Sequence, residues 1–197
     1  MGAASKPVAA IQQKALEVHF KDKDERVLDE LNMRKGLVII FLRTKHRTDR
    51  LTKYLDSYGF KVGLIHGGRT QGQRNRALRD FRNGKIRILC ATDVAARGID
   101  VPEVEHVINF DLPMQDEDYV HRIGRTARSG ATGEALSFVM PEELNDWDAI
   151  CRKYRLEDLS LGRNSYKSRK KTFGKKRGAG SFGRLSLIHI SEPTRPY

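Results

Sequence analysis

The sequence has few of the residues that define secreted, metal-stabilised or membrane proteins. Its 197 residues include two cysteines, Cys90 and Cys151, six prolines and one tryptophan. Two thiols cannot form a disulfide framework or a four-thiolate zinc site, and the six histidines show no metal-ligand spacing. No apolar run approaches the roughly 20 residues of a membrane helix, and the first residues lack the apolar core of a signal peptide. These absences predict a cytoplasmic protein that holds no metal ion of its own.

Positive charge is the first feature present in excess. The formal net charge is +12, and residues 162–184 contain nine lysines and arginines with no acid. Five glycines and three serines interrupt this segment, so it is predicted to be a disordered basic tail. Such a tail binds phosphates without reading sequence and depends strongly on salt. A tail that only keeps the protein in solution is the alternative.

Apolar runs of strand length alternate with amphipathic patterns before the tail. Strands buried on both faces of a parallel sheet are predicted over 37–42, 62–65, 86–91, 104–110 and 135–140, with an edge strand over 14–20. Helices are predicted over 23–31, 48–58, 70–81, 116–125 and 142–154, and Gly36, Gly59 and Gly84 fall where helices are expected to end. This alternation predicts an α/β fold, an open parallel sheet with helices on both faces.

Ligands of such sheets bind in the loops after the carboxyl ends of the strands, and these loops contain phosphate-binding residue types. Thr44 follows one predicted strand, His66, Gly67 and Gly68 follow another, and Thr92 follows a third. A glycine pair alone usually marks an ordinary turn. The recurrence of Thr, Gly and Arg in several loops of one edge favours a phosphate-binding surface.

Three arginines at intervals of three add to this expectation. Arg122, Arg125 and Arg128 are predicted to lie along one side of a helix, with Arg125 and Arg128 at its C-terminal end. Adjacent guanidinium groups favour a polyphosphate ligand, because each can bind phosphate through two parallel hydrogen bonds. A surface pair bonded to the acids of residues 116–118 is the alternative.

Four segments together resemble motifs of the DEAD-box RNA helicases. The sequence HRIGRTAR at 121–128 resembles motif VI, CATDVAARGID at 90–100 resembles motif V, VIIFLRT at 38–44 resembles motif IV, and QGQR at 71–74 resembles the Gln-x-x-Arg motif. They occur in the family's order and resemble the second of its two RecA-like domains, the helicase C-terminal domain. The resemblance implies a RecA-like domain over residues 14–161, preceded by a remnant of the interdomain linker over residues 1–13.

The resemblance also implies an ATP site. Arg125 and Arg128 would reach the γ-phosphate, one of them as the arginine finger, and His121 would couple the ATP site to the partner domain. These three are the predicted catalytic residues. Gly98 and Asp100 would lie against the ribose and, together with Arg125 and Arg128, form the predicted ATP-binding set.

An RNA surface is implied in the same way. Contacts to the phosphodiester backbone, which carry no sequence readout, are implied for five residues: Thr44, Gly67, Gln71, Arg74 and Thr92. RNA is therefore an expected partner. Gly68 departs from the family pattern, since many relatives have Asp at this position.

Two family features are missing from the sequence. There is no P-loop of the form GxxxxGK[ST] and no Asp-Glu-Ala-Asp, and the acidic run at 116–118 is predicted to open a helix rather than bind Mg²⁺. ATP is the expected cofactor, and Mg²⁺ is expected to be held mainly by an N-terminal RecA-like domain, the second expected partner. Because these motifs are missing, the polypeptide alone is predicted to be inactive. It is also predicted to be a monomer.

The last 13 residues differ in composition from the basic tail. Residues 185–197 resemble the translation of a sequencing-library adapter, and an apolar docking peptide is the alternative. The chain is accordingly predicted to be a gene fragment.

The leading functional prediction is the C-terminal half of an ATP-dependent RNA helicase that separates RNA duplexes. A stand-alone, non-catalytic RNA-binding module and part of a related DNA helicase are the alternatives.

Overall fold

A computed structural model describes residues 11–96, 104–127, 133–156, 159 and 161. The strands in these residues are β1 (Ile11–Glu17), β2 (Val38–Phe41), β3 (Val62–Ile65), β4 (Ile88–Ala91), β5 (His106–Asn109) and β6 (Gly133–Val139). They form one sheet in the order β1-β6-β5-β2-β4-β3, and every neighbouring pair is parallel. The predicted open parallel sheet is confirmed. Its first edge strand begins at Ile11, inside the segment expected to be linker.

The helices are α1 (Lys23–Met33), α2 (Lys45–Ser57), α3 (Gln71–Arg82), α4 (Asp93–Ala96), α5 (Asp116–Ile123) and α6 (Leu144–Tyr154). Short 3₁₀ turns at Phe20–Asp22 and Pro141–Glu143 precede α1 and α6. The five longer helices agree with the periodicity to within three residues at each end. None of the helices in the described ranges is long and apolar enough to cross a membrane.

Local chemistry fixes where these helices start and stop. At the start of α3, Thr70 Oγ1 accepts a hydrogen bond from Gln73 N–H, and the Gln73 side chain accepts one from Thr70 N–H. This reciprocal capping satisfies two backbone donors that the first helical turn leaves unpaired. Gly59 and Gly84 follow α2 and α3 with φ values of 83° and 67°, a left-handed conformation that costs glycine little.

Apolar side chains pack against both faces of the sheet. Along β2, Ile39 and Phe41 lie in one core cluster with side chains of α3, α5 and α6, whereas Val38 and Ile40 lie in the other with side chains of α1 and α2. The predicted placement of helices on both faces is therefore confirmed. Trp147 Nε1 donates to Leu159 O at 2.9 Å, which holds the chain after α6 against the first cluster.

Candidate functional site

The carboxyl ends of the parallel strands place the predicted loops along one edge of the sheet. Backbone hydrogen bonds join these loops: Leu42 N–H donates to Ala91 O, and Thr92 N–H donates to Ile65 O. The predicted residues Thr44, Gly67, Gln71, Arg74 and Thr92 therefore belong to the ends of β2, β3 and β4 and to the helices that follow them. Gly98, Asp100 and Arg128, and the segments 162–184 and 185–197, lie outside the described residues.

Thr44 is exposed and caps α2. Its Oγ1 accepts a hydrogen bond from Arg47 N–H at 3.2 Å. A hydroxyl group that accepts in this way still carries its own proton, which it can donate to an external acceptor such as a phosphate oxygen. The cap thus fixes the position of a hydroxyl donor at the edge of the sheet.

The loop after β3 is a tight turn with an exposed glycine at its tip. Arg69 N–H donates to His66 O at 3.0 Å, which closes the turn. A Cβ built at Gly67 would meet no heavy atom within 4 Å. The space around Gly67 leaves room for a ligand to approach the backbone.

Arg74 ties α3 to α4. Its Nη2 donates to Ala95 O at 3.1 Å and its Nη1 donates to Gln71 Oε1 at 3.3 Å, whereas its buried Nε has no hydrogen-bond partner among the described residues. Thr92 precedes α4, and its carbonyl accepts from the N–H groups of Ala95 and Ala96. Arg74 and Thr92 thus hold the same short helix, which the periodicity did not predict because four residues make only one turn.

Arg122 is a buried clamp between α5 and two strand ends. Its Nε and Nη2 donate to the two carboxylate oxygens of Asp93 at 2.6 and 2.7 Å. Its Nη1 donates to Asn109 Oδ1 at 3.2 Å and to Asp111 O at 2.6 Å, and the residue is only 1% exposed. Arg122 thus forms a bidentate ion pair with Asp93 and uses its third nitrogen, Nη1, for two further hydrogen bonds. Together these bonds fix α5 against the ends of β4 and β5.

The arrangement of Arg122 corrects one expectation. Arg122 and Arg125 do not share one side of a helix, because α5 ends at Ile123 and Gly124 caps it. Arg125 N–H then donates to Arg122 O and Thr126 N–H donates to Ile123 O, so the chain continues in tight turns. Arg125 is therefore half-buried beyond the helix, while Arg122 is enclosed beneath it.

His121 and Arg125 line the same small cavity beside this clamp. The cavity has a volume of about 20 Å³ and is bordered also by Asp93 and Asp118. His121 is exposed, and its Nδ1 lies 3.6 Å from Asp118 Oδ1. A space of this size holds about one water molecule, so the described residues do not by themselves enclose a nucleotide.

Asp111 is the centre of a second buried ionic group. It accepts hydrogen bonds from Lys23 Nζ at 3.2 Å, from Arg47 Nη1 at 2.6 Å and from Arg43 N–H at 3.1 Å, and Lys23 and Asp111 are both fully buried. Burial acts to raise the pKa of Asp111, but the charge of Lys23 and the hydrogen bonds from Arg43 and Arg47 outweigh it, so the pKa is lowered. This group joins α1 and α2 to the end of β5, and no pattern in the sequence predicted it.

The described carboxylates at this edge do not form a magnesium site. Asp93 is bound on both oxygens by Arg122, and no three His, Cys, Asp or Glu side chains in the described ranges could hold a metal ion together. The residues present fit a phosphate group, through Arg125, better than they fit Mg²⁺.

Comparisons with known proteins agree with this geometry. Residues 22–130 match the family described as Helicase conserved C-terminal domain. Over 144 residues the chain is 49% identical to the DEAD-box ATP-dependent RNA helicase CshA of Bacillus licheniformis, and the aligned residues cover 73% of this chain and 30% of that protein. The chain belongs to the DEAD-box helicase family. It spans less than a third of this curated relative.

Solved structures of DEAD-box proteins have the same fold. A DEAD box protein from Methanococcus jannaschii superimposes with a TM-score of 0.72 at 41% identity. The superposition covers 76% of this chain and 41% of the chain of that protein. A variant of S. cerevisiae Dbp5, solved bound to RNA and ADP BeF3, superimposes with a TM-score of 0.68 at 39% identity. The superposition covers 74% of this chain and 39% of the chain of that variant. The RecA-like DEAD-box fold predicted from the motifs is confirmed.

Proposed function

We propose that this DEAD-box chain is the C-terminal half of an ATP-dependent RNA helicase, and that it supplies the arginine finger and part of the RNA surface for ATP-driven duplex separation. The observation that carries the proposal is the Arg122 clamp. It holds the end of α5, and with it His121 and Arg125, at the edge of the sheet where the loops of β2, β3 and β4 also end.

On the ATP side, Arg125 is the group best placed to act. It follows the clamped helix through two consecutive tight turns, so its backbone is fixed while its side chain lines the cavity at the edge. Bound ATP supplies the phosphoryl group that is transferred to water. A guanidinium group held beside that phosphate stabilises its charge in the transition state, an effect worth roughly 10³–10⁵ in rate. Arg128, Gly98 and Asp100 complete the proposed set.

The remaining parts of the ATP site come from another domain in this proposal. The sequence has no P-loop to hold the β- and γ-phosphates, and its described carboxylates do not fit Mg²⁺. A second RecA-like domain facing the same edge would supply both. His121, exposed beside Asp118, is placed to contact that domain.

On the RNA side, the proposed contacts are donors of fixed position. The Thr44 hydroxyl group, the backbone at Gly67 and the side chains of Gln71, Arg74 and Thr92 follow the ends of neighbouring strands. Groups of this kind bind phosphates and fix the register of RNA without reading its bases. The Dbp5 variant, which has this fold and was solved bound to both RNA and ADP BeF3, supports the proposal that RNA and a nucleotide bind together.

The test uses a two-domain protein in which a P-loop-containing RecA-like domain precedes this chain. Arg125→Ala and Arg128→Ala are each expected to lower the RNA-stimulated ATPase kcat by about 10²-fold or more, with little change in RNA affinity in the absence of nucleotide. Arg152→Ala, at an exposed arginine on α6, is the matched control and is expected to leave kcat unchanged. A near-normal kcat in both finger variants would remove these residues from catalysis. Tight RNA binding without ATPase activity would instead favour the RNA-binding module.

A further inference from the structure

The loop between β3 and α3 is held by a side chain from a different helix. Asp49, in the second turn of α2, accepts two hydrogen bonds on the same oxygen, Oδ1. One comes from His66 Nε2 at 3.2 Å and the other from Arg69 Nη2 at 3.1 Å. These two donors lie at the start and end of the turn that contains Gly67 and Gly68.

The ring of His66 has a defined orientation in this loop. Gly68 N–H donates to His66 Nδ1 at 3.0 Å, so Nδ1 acts as an acceptor and carries no proton. The ring proton is therefore on Nε2, where it is donated to Asp49. His66 is only 4% exposed, so its ring is enclosed by protein while it joins the loop backbone to α2.

We propose that Asp49 is a positioning residue for RNA binding, whose carboxylate fixes the conformation of residues 66–69 and thereby the position at which Gly67 meets the RNA backbone. This inference rests on the proposed function, in which Gly67 contacts RNA. Asp49 lies five residues after Thr44, the cap of the same helix, so one helix sets the positions of two RNA-facing groups.

The electrostatics of Asp49 agree with this geometry. Partial burial acts to raise its pKa, but the hydrogen bonds from His66 and Arg69 outweigh that effect, so the pKa of Asp49 is lowered. The carboxylate therefore stays ionised, and a charged acceptor makes stronger hydrogen bonds than a neutral one.

The experiment uses the full 197-residue chain and NMR. A single-stranded oligouridine RNA is titrated in salt high enough to weaken binding by the basic tail, while the amide signals of Gly67 and Gly68 are followed. Variants are Asp49→Ala, which removes the acceptor, and Asp49→Asn, which keeps an acceptor oxygen but removes the charge. Asp56→Ala is the matched control, because it removes an exposed carboxylate from the same helix.

Asp49→Ala is expected to speed hydrogen exchange at the Gly68 amide by about tenfold and to weaken RNA binding at the loop by a similar factor, since bonds to a charged acceptor are lost. Asp49→Asn is expected to bind RNA with an affinity between those of the wild type and Asp49→Ala, because it keeps an acceptor oxygen without the charge. Asp56→Ala is expected to match the wild type.

Two results would overturn the inference. One leaves the proposed RNA surface intact, and the other removes this loop from it. If the loop amides of the wild type respond to RNA, but Asp49→Ala shows the same exchange and affinity, Asp49 has no positioning role and the proposed RNA surface stands. If the loop amides of the wild type do not respond to RNA, the RNA role of this loop fails as well. Should Asp49→Ala not fold, Asp49→Asn decides, and an affinity equal to that of the wild type contradicts the proposal.

Discussion

The two sides of the carboxyl edge are built differently. Around β5 and α5, the charged side chains of Lys23, Asp111 and Arg122 are enclosed and bonded to one another or to backbone carbonyls. Around the ends of β2 and β3, Thr44 and Gly67 face open space. The first side is a rigid support and the second is available to ligands.

Motif VI shows the same difference within four residues. Arg122 is 1% exposed, whereas Arg125, three positions later, is half-buried. Residue type does not distinguish them. The end of α5 at Ile123 does, because a continued helix would have placed both arginines on one side. The same residue type is therefore enclosed or half-buried according to where the helix stops.

The largest expected effect separates these two arginines by stability. Arg122→Ala leaves the carboxylate of Asp93 without its partner, and is expected to lower the free energy of unfolding by about 3–5 kcal/mol. Arg125→Ala is expected to lower it by less than about 1 kcal/mol. Urea denaturation of both variants measures the difference. Equal losses would show that the distinction between support and ligand-facing residues is wrong.

The next effect compares the tail with the folded edge. Deleting residues 162–197 removes ten lysines and arginines, nine of them in residues 162–184, and is expected to weaken RNA binding by about 10²-fold at moderate salt and to flatten its salt dependence. Arg74→Ala is expected to weaken binding but to change the salt slope by about one unit at most. Binding measured across a salt series decides this. A truncated chain that keeps the full slope would show that the tail only aids solubility.

The smallest expected effect concerns the pH dependence of the buried side. The pKa of Asp111 is lowered in the folded state, so its ionised form stabilises the fold above the ordinary carboxyl value of about 3.9, and this stabilisation is lost as pH falls through the folded-state pKa. At neutral pH, Asp111→Asn is expected to be less stable than the wild type by about 1–3 kcal/mol. The gap is expected to narrow below about pH 4, as measured by denaturation at several pH values. A gap that is constant with pH would exclude this role for the carboxylate.

The sequence predicted the elements of the fold because their signals are local. Apolar runs predicted strands β2 to β6, and the capping threonine and terminal glycines predicted the ends of helices such as α3. The pairing of Lys23 with Asp111 was not predictable in this way, because 88 residues separate them and only the folded sheet brings them together. The contact of Asp49 with His66 likewise depends on how α2 packs beside β3.

The site was predicted less completely than the fold. The motifs identified the edge and named Thr44, Gly67 and Arg125, which are described there. They did not show that Arg122 is enclosed or that Arg74 bonds to Ala95 O, since both depend on where α5 ends and where the short helix α4 lies. The roles of all the predicted site residues stay predictions, and Gly98, Asp100 and Arg128 also lie outside the described residues.

ATP hydrolysis by the chain alone tests the central claim, that this edge is one half of a catalytic site. The purified 197-residue chain, assayed with and without RNA, is expected to show no turnover above background, because the sequence has no P-loop to hold the β- and γ-phosphates. Joined to a P-loop-containing RecA-like domain, it is expected to show RNA-stimulated turnover. ATP hydrolysis by the chain alone that survives purification and is lost in Arg125→Ala or Arg128→Ala would contradict the account.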